Sequence, residues 1–71
     1  MTLNEFYGGL EKDLHSHKKS LDKLDNKFNK STDTSYKSIL IQFIKYESGI
    51  VDTLSNIINK LDNEFSEELN G

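Results

Sequence analysis

The sequence predicts an all-α fold, an antiparallel two-helix hairpin of coiled-coil character. Three observations carry that expectation. Apolar side chains recur alternately four and three positions apart in two long stretches, one polar stretch separates them, and none of the 71 residues is proline.

The first stretch runs Leu3, Tyr7, Leu10, Leu14, His17, Leu21, Leu24, Phe28, which on a helix places every member along one narrow seam. A helix over about residues 3–29 follows. Thr2 with Glu5 three positions later makes a capping-box pattern, in which hydroxyl and carboxylate each satisfy a free backbone N–H at the helix entrance. Gly8 and Gly9 fall on the outer face near this end, where they either loosen the helix or let another backbone approach.

Asn29-Lys30-Ser31-Thr32-Asp33-Thr34-Ser35 is rich in side chains that hydrogen-bond their own backbone, and it interrupts the apolar period. It is the predicted turn, at about residues 30–34, with Asp33 or Thr34 capping the next helix. That second helix, over about residues 35–69, has the seam Leu40, Ile44, Glu47, Val51, Leu54, Ile58, Leu61, Phe65. Gly49 lies inside it, yet the phase of the seam passes through Ser48-Gly49 without a slip, so a continuous helix is expected there and not a break. The segment from Lys23 to Phe28 recurs from Lys60 to Phe65 with a single replacement, Lys27 against Glu64. Two helices drawn from one narrow alphabet explain the echo without a duplication.

A turn this short makes the helices antiparallel neighbours. Facing residues in such a pair have numbers of nearly constant sum. Pairing Leu24 with Leu40, Leu21 with Ile44, His17 with Glu47, Leu14 with Val51, Leu10 with Leu54, Tyr7 with Ile58 and Leu3 with Leu61 gives 64 or 65 throughout. His17, the interruption in the first seam, is thereby predicted to face Glu47, the interruption in the second. Such a polar layer sets the register, because any slipped alignment strands an imidazole or a carboxylate against leucine. A pair that merely reaches solvent, or one that responds to pH, is the alternative use of these two residues.

The second helix carries a further apolar row, Tyr36, Phe43, Ile50, Ile57, with Ile39 near the turn, whereas the first helix has Phe6, Asp13, Ser20, Lys27 at the matching positions. Two helices leave nothing to cover that row. A hairpin of this length also buries too little apolar surface to offset an ordering cost of about 1.5 kcal/mol per residue. The expected completion is a homodimer, two hairpins forming a four-helix bundle through Tyr36, Phe43, Ile50 and Ile57. A helical partner of another kind, or a monomer folded back at Gly49 into three helices, are the rival ways to cover it.

Hydrophobic residues make up 34% of the chain and charged residues 30%, which suits one small domain over residues 1–71 without a walled substrate cleft. The absence of cysteine excludes disulfides and thiolate metal sites. His15 and His17 are two positions apart and so point to different helix faces, which leaves no metal site. With no Gly-rich phosphate loop and no nucleophile beside a base, neither an enzyme nor a cofactor is expected. A net charge of −3 and the lack of arginine disfavour nucleic acid as a partner. The alternative function is nonetheless a small nucleic-acid-binding regulator, with Lys18, Lys19, Lys23, Lys27 and Lys30 as phosphate contacts. No apolar run is long enough for a membrane span, and the opening Met-Thr-Leu-Asn-Glu lacks the order of a secretory signal, so an intracellular protein is expected. The function predicted from the residues is therefore a non-enzymatic interaction or assembly module.

Overall fold

A computed structural model describes residues 1–70. Three helices follow one another, α1 (Leu3–Lys30), α2 (Thr34–Glu64) and the short α3 (Ser66–Asn70). The described residues contain no strand.

At the start of α1 the Thr2 hydroxyl oxygen accepts the Glu5 backbone N–H at 3.1 Å, while the hydroxyl itself donates to the Glu5 carboxylate at 3.2 Å. The box thus closes through the Thr2 hydroxyl and not through the Thr2 backbone N–H. At the other end Lys27 and Lys30 lie in the last turn, where cations complement the helix dipole. The connection is only Ser31–Asp33, tighter than the turn expected from composition. Extended backbone at Ser31 ends α1, and its N–H returns to the carbonyls of Lys27 and Phe28. Of the two capping candidates Asp33 acts: its carboxylate accepts the Tyr36 N–H at 3.0 Å.

α2 has 31 residues, about 46 Å at 1.5 Å per residue, and sets the long dimension of a molecule measuring 51 × 17 × 15 Å. It runs unbroken through Ser48-Gly49, and the Thr53 hydroxyl donates to the Gly49 carbonyl one turn back at 2.8 Å.

The helix expected to reach about residue 69 ends instead at Glu64, with Phe65 at φ −126° and ψ 28°. Two physical reasons meet there. Leu3 and Leu61 form the last facing pair, so Phe65 has no α1 position opposite it. Acidic residues also oppose a helix C-terminus and suit an N-terminus. A continuous helix would put Glu67 and Glu68 in its last turns; the break puts them in the first turn of α3.

α1 and α2 pack along their whole seams. Every seam residue is buried or half-buried except Phe65. Among the described residues only Leu40 and Ile58, at 4% and 8% exposure, are buried. The molecule exposes 5404 Å², whereas size scaling gives about 4,500 Å² for a compact monomer of this 8.2 kDa mass.

Candidate interaction surface

The seam uses one stripe of α2; a second stripe lies beside it. At about 100° per residue, Tyr36, Ile39, Phe43, Tyr46, Ile50, Thr53 and Ile57 fall in one line roughly a quarter turn from the seam. Their spacing alternates three and four over three heptads, about six turns, the same rule that builds the seam itself. No segment of the described chain covers this line. Tyr46 is 69% exposed, Phe43 56% and Ile39 53%, with Tyr36 and Ile57 also exposed. Ile50 differs from the expectation for the row: it is half-buried, although it holds the same heptad position as the exposed Tyr36, Phe43 and Ile57. The rival fold in which α2 turns back at Gly49 to cover the row is not what the chain adopts.

Tyr46 and Thr53 are the members that counting in sevens from Tyr36 passes over. The signal that finds them is the intermediate position of each heptad. Thr53 belongs despite its hydroxyl, since that group is satisfied by the Gly49 carbonyl and its methyl is left to the surface. Gly49 itself lies in a shallow depression shared with Tyr46, Ile50 and Thr53. A Cβ added at Gly49 would meet nothing within 4 Å, so no contact inside the chain calls for glycine at this position. The flanking row Ser35, Gln42, Gly49, Asn56 is uncharged.

The seam holds the polar layer. His17 Nδ1 donates to Glu47 Oε2 at 2.7 Å, with the imidazole 35% and the carboxylate 19% exposed. Among the described residues it is the only contact of this length between a basic side chain and a carboxylate. Two contacts extend the same alignment toward the hairpin's ends. The Lys37 ammonium lies 4.5 Å above the Phe28 ring, a cation–π contact at the turn. At the open end the Tyr7 hydroxyl donates to Asp62 at 2.7 Å. That hydrogen bond, followed by burial and the negative charges of Asp62 and Glu11, pushes the Tyr7 hydroxyl up to about 12.

The five lysines proposed as phosphate contacts are all exposed, but they do not share a face. Lys18 shares a depression with Leu14 and Ile58 on one side of the hairpin. Lys23 and Lys27 border Phe43 and Glu47 on the other. Lys30 lies with Lys27 beside Tyr36, so Lys23, Lys27 and Lys30 flank one side of the hairpin and Lys18 the other. No three His, Cys, Asp or Glu side chains among the described residues converge as a metal cluster. Among the described residues no helix is long and apolar enough to cross a membrane. Compared with known protein families, curated proteins and solved structures, the chain matches none of them.

Proposed function

We propose that the protein is a non-enzymatic helix-pairing module, whose α2 strip docks against a helix from another chain to complete a bundle. The observation that carries this reading is the unbroken apolar line from Tyr36 to Ile57, three of whose members are more than half exposed. Solvent on such a line costs roughly 25 cal/mol per Å² of apolar area, and a contiguous strip of this kind marks a protein contact surface. In a bundle of two hairpins the α2 helices lie inside and the α1 helices outside, because α1 has one apolar stripe and α2 has two.

The nucleic-acid reading draws on the Lys-rich half of α1, and it is weaker because a phosphate track needs its cations on one face. Light scattering across a concentration series tests the pairing reading. Phe43→Asp is the control of choice, since Phe43 is exposed and the hairpin seam tolerates the change. The expected result is wild-type mass rising with concentration and a helical, monomeric variant. A wild type that stays monomeric throughout but binds nucleic acid with a steep salt dependence would favour the alternative.

A further inference from the structure

We infer that the occupant of the strip is a second copy of the same α2, lying antiparallel with the two-fold axis at Tyr46. This rests on the pairing reading above and adds the partner, its direction and its register.

The argument is the constant-sum test that aligns α1 with α2, applied to α2 against itself. Pairing Tyr36 with Ile57, Ile39 with Thr53, Phe43 with Ile50 and Tyr46 with Tyr46 gives 93, 92, 93, 92. The seven members can therefore be paired with a second copy about Tyr46, the middle one, with the alternation a four-three seam requires. Spacing alone also fits another four-three helix, as α1 against α2 shows; shape and charge favour a second copy, since in an isologous contact each patch must complement itself.

Shape follows the same register. Phe43, the bulky exposed ring, falls opposite Gly49-Ile50 of the second copy, where the depression lined by Lys45, Tyr46, Gly49, Ile50, Thr53 and Leu54 lies open. Glycine in mid-helix is unfavourable by itself, and the chain has no internal contact that calls for it; a ring seated on it from outside supplies the reason. Charge agrees as well. Lys60 continues the strip beyond Ile57, and its facing position is Thr32-Asp33, the acidic cap of α2. A parallel pairing would instead set Lys60 beside Lys60 and Asp33 beside Asp33. Along the flank away from the seam, Gln42 meets Gly49 and Ser35 meets Asn56, so no like charges oppose there; on the seam side Glu47 meets its own copy, its carboxylate held by His17.

Area is adequate too. With whole aromatic side chains at about 150–250 Å², the exposed fractions of the strip leave on the order of 500 Å² per chain. Two copies together bury about 1,000 Å², the lower bound for a biological interface and the size of a weak, reversible dimer.

Disulfide trapping tests direction and register together, and the absence of native cysteine keeps the background clean. Ile39→Cys and Thr53→Cys are both exposed sites outside the seam, and in one chain they lie about 21 Å apart along α2. A disulfide needs Cα atoms within about 7 Å. The expected result is a covalent dimer from an oxidised equal mixture of the two full-length variants and little from either alone, with circular dichroism confirming unchanged helix. Self-cross-linking of each variant, or a dimer in solution that the mixture fails to trap, overturns the antiparallel register and leaves helix pairing standing. Wild type that is monomeric at every concentration overturns both.

Discussion

The Tyr7 hydroxyl donates to the Asp62 carboxylate at 2.7 Å, joining the first turns of α1 to the last turns of α2 across 55 positions. The seam alignment puts Ile58 opposite Tyr7, and Asp62 lies one turn beyond. Helical side chains lean toward their own N-terminus, which in an antiparallel pair is toward the partner's C-terminus, so a long tyrosine reaches Asp62.

That contact gives a pH dependence with a defined sign. Bonding to the carboxylate holds the neutral phenol and raises Tyr7 from 10.0 to about 12. A group raised in the folded state contributes its full stabilisation below the unfolded value and loses it as pH climbs through the folded one. The Tyr7 contribution is thus complete below about pH 10 and gone above about 12. Melting curves of wild type and Tyr7→Phe should differ by a constant amount up to about pH 10 and converge above it. Curves that keep a constant separation through that window would contradict the assignment.

The four-three spacing made both long helices and their register legible, since periodicity records which face of a helix is apolar. The register already placed His17 opposite Glu47. Periodicity does not record the direction in which a side chain leans, so Tyr7 was counted as an apolar knob opposite Ile58 and its hydroxyl went unread. Nor does it register helix-end electrostatics, which is why the apolar phase at Phe65 extended α2 past Glu64. Tyr46 escaped a count made in sevens, although the intermediate position between Phe43 and Ile50 was in plain sight.

The His17–Glu47 layer is a matter of alignment more than of strength. Both groups keep some solvent, so the pair should be worth only about 0.5–1 kcal/mol in a double-mutant cycle. His17→Leu alone leaves Glu47 facing leucine and should lower stability by about 1 kcal/mol. The double variant His17→Leu, Glu47→Leu should regain or exceed wild-type stability, as replacing a partly buried pair by apolar residues often does. Its cost is specificity: NMR spectra should show broadened or doubled seam resonances from competing alignments. A double variant with a single sharp spectrum would show that the apolar layers alone set the register.

The glycines of the two helices should behave oppositely. Gly8, Gly9 and Gly49 all have open space where a Cβ would go, and Gly→Ala in a helix interior stabilises by about 0.5–1 kcal/mol. Gly9→Ala should therefore raise the melting temperature at every protein concentration. Gly49→Ala should do so only where the chain is monomeric. In the dimer its methyl occupies the seat of the partner's Phe43, and overpacking of about 1–3 kcal/mol weakens association by about tenfold or more. Equal dissociation constants for Gly49→Ala and wild type would remove the role given to the notch.

Tyr46 offers the sharpest single-site test, because a residue on a two-fold axis meets its own copy. Tyr46→Lys places two ammonium groups together and Tyr46→Glu two carboxylates, so each variant alone should dissociate. The side chain is 69% exposed in the single hairpin, and neither change disturbs the seam, so both should remain helical. Mixed in equal amounts, the two should form a heterodimer that is favoured over either homodimer by about 1–2 kcal/mol, roughly tenfold in affinity. Screening should shrink that preference as salt is raised, since the groups sit at a partly solvated contact. Native mass spectrometry of the mixture reads the outcome directly. Variants that associate as well alone as together would place Tyr46 away from any symmetry axis.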